Sequence, residues 1–274
     1  MHLIHPDVSE LSLFIGSYPR LAVITGAGLS AASGIPTYRD ARGVWRHSEP
    51  IKHQQFVDEH HQRQRYWTRS MLGWPAVRDA RPNPAHLALA RLESKGNISL
   101  LITQNVDRLH QRAGSNRVID LHGRLDQVRC LECQARFCRE RFQQELMLAN
   151  PQVGGPAMSP RPDGDAAVAD TLAAKTLVPK CKACGGILIP DVVFFGGTVP
   201  AERVQACKDA VSRADALLVV GSSLQVYSGF RFCRLAAELG KPLAIINPGE
   251  TRADKLASLK LRSECERLLP AVAG

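Results

Sequence analysis

Leu21–Arg39 reads LAVITGAGLSAASGIPTYR. Its apolar opening, Leu21 to Ile24, stops abruptly at Thr25-Gly26-Ala27-Gly28, the pattern of a buried strand entering a tight turn. Glycines at such a strand-to-helix turn let the backbone approach a pyrophosphate, and a helix N-terminus there offers unpaired N–H groups. In a Gly-x-Gly-x-x-Gly pattern the third glycine falls at position 31, held here by Ala31, an accepted variant. A glycine turn that holds no ligand explains this fragment equally well.

Three further apolar runs repeat the signal: Leu100 to Thr103, Ala216 to Val220 and Leu243 to Ile246. Each is followed by Gly, Asn or Gln, and helical stretches lie between them, which predicts an α/β protein with a mostly parallel sheet. Ligands in such folds bind at the carboxyl ends of the strands. Those ends carry Gly26–Gly28, Gln104–Asp107, Gly221–Ser223 and Asn247-Pro248-Gly249.

With 274 residues, 45% of them apolar, the chain suits one large domain with a smaller module. No apolar run approaches the ~18 residues of a membrane span. The opening residues lack the basic and apolar regions of a secretory signal, and no Arg precedes Arg20, so a cytoplasmic home is expected ahead of a mitochondrial matrix. The net charge of +9 is scattered, with no compact basic block, so direct nucleic-acid binding is not expected.

Eight cysteines in a chain of this character suit metal ligation and buried thiols better than a disulfide framework. Cys130-x-x-Cys133 and Cys181-x-x-Cys184 offer four thiolates, the set for a closed tetrahedral zinc. The 47 residues between the pairs exceed compact ribbon spacing, and free buried cysteines are the plain alternative. Cys207, Cys233 and Cys265 read as packing thiols. A small module inserted at 126–186 is expected between flanks 1–125 and 187–274. Its stretch from Asn150 to Asp170 is rich in Pro, Gly and Ala, and within it Asn150 to Pro160 reads as a mobile surface loop; the composition of 150–170 permits closure as a lid without requiring it.

His122 follows Val118 to Leu121 and precedes Gly123, so a strand end could present its imidazole to a cleft, although a lone histidine is more often structural. Tyr66-x-x-Arg69 places a hydroxyl and a guanidinium on one helix face, a pair able to hold a carboxylate or simply to pack.

The continuation Leu29 to Arg39 closely resembles the NAD-binding signature of the sirtuins, and the resemblance extends over nearly the whole chain. Gln104-Asn105-Val106-Asp107, Leu121-His122-Gly123, the two cysteine pairs, Gly221-Ser222-Ser223 and Asn247-Pro248 match the other sirtuin motifs in order. Gln64–Trp67, Gly73-Trp74-Pro75, Asn83–His86, Val219–Gly229 and Leu268-Leu269-Pro270 are similar to class II members, especially the mitochondrial sirtuin-four type.

That resemblance implies a Rossmann-like NAD-binding domain with one structural zinc on Cys130, Cys133, Cys181 and Cys184. It implies an NAD-dependent protein lysine deacylase of the deacetylase type that releases nicotinamide and moves the acyl group to ADP-ribose. His122 would be the general base, an ordinary pKa near ~6.5 suiting that work; Asn105 would orient ribose and water, and Asp107 would hold the nicotinamide pocket. NAD contacts are implied for Gly26, Ala27, Gly28, Ser30, Ser33, Pro36, Thr37, Tyr38, Arg39, Trp45, Gln104, Asn105, Asp107, Gly221, Ser222, Ser223, Asn247, Pro248, Gly249 and the backbone at Cys265.

For the acyl-lysine protein or peptide, Val192, Val193 and Phe194 would form the pairing edge and tunnel wall. Tyr66 and Arg69 correspond to a clamp for acidic acyl groups. The family usually has an acidic residue after Phe-Gly, whereas this chain reads Phe195-Gly196-Gly197. Two rival readings are a protein mono-ADP-ribosyltransferase on the same NAD site and a non-catalytic NAD-sensing scaffold.

Overall fold

The computed structural model describes residues 6–38, 40, 44, 46, 50–154, 160–161 and 164–274. The four apolar runs form adjacent strands: β1 (Leu21–Thr25), β2 (Ile98–Thr103), β9 (Ala216–Val220) and β10 (Leu243–Ile246). With β3 (Val118–Asp120) and β11 (Leu259–Leu261) they make a six-stranded sheet in the order β11-β10-β9-β1-β2-β3, parallel throughout. Every residue of β1, β9 and β10 is buried, which is why these segments read as continuous apolar runs rather than alternating ones. Between β1 and β9 the chain's direction of growth across the sheet reverses, the place where such sheets open a crevice.

The zinc-pattern region contributes β4 (Gly123–Cys130), β5 (Arg136–Cys138) and β8 (Leu188–Val192), an antiparallel sheet in the order β5-β4-β8. A two-residue hairpin ladder, β6 (Pro160–Arg161) with β7 (Asp165–Ala166), completes the strands. One apolar cluster joins Val128, Phe142, Leu146, Leu188 and Ile189 to Phe56, Trp67 and Met71. The helix His60–Asp79 is therefore part of the packing of this second unit, and each fully buried large apolar side chain in it contributes roughly 1.5–3 kcal/mol.

That helix contains Pro75, whose ring nitrogen cannot donate to the carbonyl four residues back, at Met71. Gln143 Nε2 donates to that carbonyl instead, at 2.8 Å. Arg139 Nη2 donates to the adjacent Ser70 carbonyl at 3.3 Å, while its guanidinium stacks on Trp67 and Trp74. The helix interruption thus becomes the attachment point for the helix Arg139–Ala149. The helix Pro84–Ser94 starts as its sequence dictates: the Asn83 side chain accepts from the N–H groups of Ala85 and His86, and Pro84 sits in the first turn.

Asn150, expected at the start of a mobile loop, is fully buried. Its amide donates to the Leu146 and Leu177 carbonyls and accepts from Leu177 N–H. Residues 155–159 lie outside the described residues, but Val153, Gly164 and Ala166 are buried, so the ends of this segment are packed against the protein.

Candidate active site

The carboxyl ends of β1, β2, β9 and β10 open on one cavity of about 670 Å³, which also reaches between the two sheets. Its lining brings together Gly26, Ala27, Gly28, Ser30, Pro36, Thr37, Tyr38, Gln104, Asn105, Asp107, His122, Gly221, Ser222, Ser223, Asn247, Pro248 and Gly249. Ser33 does not line it; its hydroxyl accepts from Asn83 Nδ2 at 3.0 Å. Cys265 is also outside the lining, buried in the first turn of the helix Cys265–Val272. Arg39 and Trp45 fall outside the described residues.

Two loops interlock at the floor. Gly28 N–H donates to the Gly221 carbonyl at 2.9 Å, and a Cβ on Gly28 would lie 2.8 Å from that oxygen. Gly221 has φ +58°, and a Cβ there would lie 2.4 Å from Leu29 N. Neither position accepts a side chain without moving backbone. The helix expected after the glycines is a single α-turn, Ala27–Ser30, followed by a 3₁₀ turn, Ala31–Ser33. The macrodipole of so short an element is small, so this loop offers a pyrophosphate close backbone approach more than helix field.

Asn105 Nδ2 donates to the Gly26 carbonyl at 3.0 Å and to Ser30 Oγ at 2.9 Å. Ser30 Oγ in turn donates to Asp107 Oδ2 at 2.7 Å, and Leu109 N–H caps Asp107 Oδ1. Burial pushes the Asp107 carboxyl upward, opposed by those two hydrogen bonds. Gln104 Nε2 reaches Ser222 Oγ at 2.8 Å, so β2 and β9 loops are cross-linked as well.

His122 Nδ1 lies 3.0 Å from the Gln104 carbonyl, which can only accept, so the ring proton belongs on Nδ1. Nε2 then presents its lone pair, and Ser228 Oγ donates to it at 2.7 Å. Burial pushes the His122 pKa down to about 4, aided by the nearby Arg203 and Arg231 cations and opposed by the Gln104 hydrogen bond. The ordinary value near 6.5 expected from sequence is thereby corrected: this imidazole is neutral throughout the physiological range. Ser228 sits in the first turn of the helix Tyr227–Glu238; it lies inside the Val219–Gly229 stretch, but nothing in the sequence gave it a role of its own.

On the far side, Tyr66, Val192, Val193 and Phe194 line the cavity. The Tyr66 ring packs on Phe194 at 5.2 Å and on Phe56 at 5.4 Å, and burial raises its phenol's pKa. Val193 N–H donates to the His122 carbonyl at 2.7 Å, tying this wall to the imidazole. Gly197 N–H donates to the Phe194 carbonyl at 2.9 Å, so the Gly-Gly departure closes a tight turn. Arg69 lines the same end but is not an open clamp: Nη2 donates to Asp165 Oδ2 and Nε to the Ala166 carbonyl at 3.2 Å.

The four cysteines expected to bind metal converge, their sulfurs all within 4.8 Å of one another. Cys130 and Cys184 Sγ are 3.5 Å apart, Cys133 and Cys181 Sγ 3.7 Å. Tetrahedral zinc with ~2.3 Å bonds to sulfur requires sulfurs about 3.8 Å apart, so the set fits the ion. Four protein ligands leave no open position, as a structural site requires.

A sequence model described as the Sir2 family matches residues 26–228. The chain belongs to the Sir2 family. It is 53% identical over 266 residues to an NAD-dependent protein deacetylase of Bordetella bronchiseptica, covering 97% of each chain. It is 47% identical over 268 residues to the human mitochondrial NAD-dependent protein lipoamidase sirtuin-4, covering 97% of this chain and 85% of that one. Among solved structures, a Sir2 protein with a p53 peptide and NAD superposes with a TM-score of 0.77 at 30% identity, covering 97% of this chain and 96% of the other. A related complex with deacetylated p53 peptide and 3′-O-acetyl ADP-ribose gives 0.78 at 30% identity over the same shares. Among the described residues, no helix of this sirtuin is long and apolar enough to cross a membrane.

Proposed function

We infer that the chain is an NAD-dependent protein lysine deacylase, which releases nicotinamide from NAD and transfers the acyl group to ADP-ribose. The observation that carries this is one cavity that joins the four strand-end loops to a neutral His122, whose Nε2 accepts from Ser228, also in the lining. NAD supplies the electrophilic ribose carbon; the protein positions groups around it. Gly26–Gly28, Ser30, Pro36, Thr37, Tyr38, Gln104, Gly221–Ser223 and Asn247–Gly249 are assigned to holding the dinucleotide, and the zinc to bracing the second unit.

His122 keeps its own proton on Nδ1, parked against Gln104, and accepts one at Nε2 from a ribose hydroxyl. Asn105 is assigned to orienting ribose and water, although its amide is spoken for by Gly26 and Ser30; that engagement fixes its plane. Asp107 is assigned to the nicotinamide carboxamide. Val192, Val193 and Phe194 wall the acyl-lysine channel. We assign residues 1–125 and 187–274 to the NAD-binding domain and 126–186 to the zinc module, except that β8 (Leu188–Val192), the start of β4 and the helix His60–Asp79 pack with the module, and the bacterial relatives support a cytoplasmic setting.

The test is nicotinamide release from NAD with acetyl-, long-chain and carboxylate-bearing acyl-lysine peptides, followed by mass spectrometry. Acyl-dependent release with matching O-acyl-ADP-ribose is expected. ADP-ribose left covalently on protein, with no need for acyl peptide, would overturn the reading in favour of a transferase.

A further inference from the structure

At the acyl end of the cavity the guanidinium that sequence suggests as a carboxylate clamp already holds a carboxylate. Arg69 is 6% exposed, and its charge in that position requires a partner. Asp165 supplies it: Oδ2 accepts from Arg69 Nη2, while Oδ1 accepts from Ala166 N–H at 2.8 Å. Both residues line the cavity alongside Tyr66. The acid and the base are 96 positions apart, so the pairing depends on how the β6–β7 hairpin is seated.

That seat is built into the backbone. A Cβ on Gly73 would lie 2.3 Å from the Gly164 carbonyl oxygen and 2.6 Å from the Asp165 carbonyl carbon, so only glycine lets the hairpin lie this close to the helix His60–Asp79. Gly73 and Arg69 are one helical turn apart and share a face. Gly164 takes φ +64° and packs near Val77, Trp74 and Leu125, and Ala166 is fully buried. The same face that receives the hairpin therefore delivers Asp165 to Arg69.

We propose that Asp165 is a specificity residue of the acyl pocket: its carboxylate takes the place of a substrate's, so the enzyme selects acyl-lysines with uncharged tips over those ending in a carboxylate. This rests on the deacylase reading above. An incoming anion would have to displace Asp165 from Arg69 and then sit beside it, and like charges brought together in a partly dry site repel. An uncharged tip meets the neutral pair and the apolar faces of Tyr66, Val192 and Phe194.

The experiment compares two peptides that differ at one group, a glutaryl-lysine and the same chain ending in a primary amide, by kcat/KM for O-acyl-ADP-ribose formation. The wild-type enzyme is expected to favour the amide, and Asp165→Asn to move the ratio toward glutaryl by at least about tenfold, equivalent to about 1.4 kcal/mol. Adding Arg69→Met to Asp165→Asn should erase that gain. Gly73→Ala, which lifts the hairpin without touching either charge, should shift the ratio the same way. Thermal shifts on adding each peptide read the same preference as binding if a variant turns over slowly.

An unchanged ratio in both turnover and binding for Asp165→Asn overturns the proposal, as does a wild-type preference for glutaryl that Asp165→Asn weakens. Turnover of neither peptide, nor of acetyl-lysine, by the wild-type enzyme would overturn the deacylase reading itself, and is told apart because the first two failures require product.

Discussion

The wall formed by the ends of β1, β2, β9 and β10 is made of four loops, each following a buried strand. The opposite wall is collected from the helix His60–Asp79, the segment after β8 and a hairpin from the second unit. In the first wall, the loops meet backbone to backbone, as Gly28 does with Gly221, or through short polar side chains of the strand-end motifs, as Asn105 Nδ2 does with the Gly26 carbonyl. In the second, side chains far apart in sequence are paired, as Arg69 is with Asp165 and Trp67 with Phe142. A sheet edge imposes the first arrangement through its geometry. The second depends on packing and on four cysteine sulfurs meeting at one point, so the two walls should fail differently when perturbed.

The largest expected effect is on chemistry at the junction of the walls. His122→Ala removes the Nε2 lone pair and should lower kcat for O-acyl-ADP-ribose formation by about 10²- to 10⁴-fold, the usual contribution of a positioned base. NAD affinity, followed by quenching of intrinsic fluorescence, should fall far less. A variant losing less than tenfold in kcat would remove His122 from the chemistry.

Breaking the zinc set attacks the second wall alone. Cys181→Ser, or prolonged chelation, should release bound zinc and lower the melting temperature by roughly 10 °C, since ion binding is coupled to the folding of its module. Elemental analysis and differential scanning calorimetry check this together. Retained stability in a protein shown to be free of zinc would mean that packing around Phe56, Trp67 and Leu188 holds the unit by itself.

Acid should weaken the first wall by a different route. His110 Nε2 lies 2.9 Å from Thr25 Oγ1 at the end of β1, and its ring sits 4.9 Å from that of His86. Burial lowers the pKa of His86 to about 4 and that of His110 well below the ordinary 6.5; His122 is lowered to about 4 as well. The unfolded chain therefore binds more protons than the folded one between about 6.5 and 4. The stability these neutral rings contribute is complete above about pH 6.5 and is lost as pH falls toward 4, at about 1 kcal/mol per histidine by about pH 5.5. Urea midpoints measured from neutral pH downward should fall accordingly, and His86→Gln should flatten the slope.

Much of the first wall was legible because the signal is local. A buried parallel strand must be apolar along its whole length, and the residues that end it are the residues that bind, so LAVITGAG announces strand, turn and site together. The cysteine pairs were legible for a similar reason, since each pair fixes two ligands on one loop, and only their convergence needed the fold. Residues whose roles arise from distant contacts were not legible. Asp165 lies in a segment that reads as loop, and its meaning depends on Arg69 and on the space left by Gly73. Tyr66-x-x-Arg69 suggested an open clamp because spacing shows which groups share a face but not what already sits against them. The depressed pKa of His122 was hidden for the same reason, because it comes from burial that no short motif records.

Ser228 is the smallest and sharpest probe of the junction. Its hydroxyl donates to His122 Nε2 at 2.7 Å, the lone pair that the proposed mechanism assigns to a ribose hydroxyl. Both cannot hold it at once, so catalysis requires this bond to be given up. A hydrogen bond of this kind contributes about 0.5–1.5 kcal/mol net, and Ser228→Ala removes that competitor while leaving the Gln104 contact that sets the ring's tautomer. The expected result is a rise in kcat/KM for NAD of about two- to tenfold, measured at saturating acyl peptide. A fall of similar size would mean that the hydroxyl holds the ring for attack rather than competing for it, and a loss beyond about a hundredfold, the lower range of a true acid or base, would place Ser228 among the reacting groups.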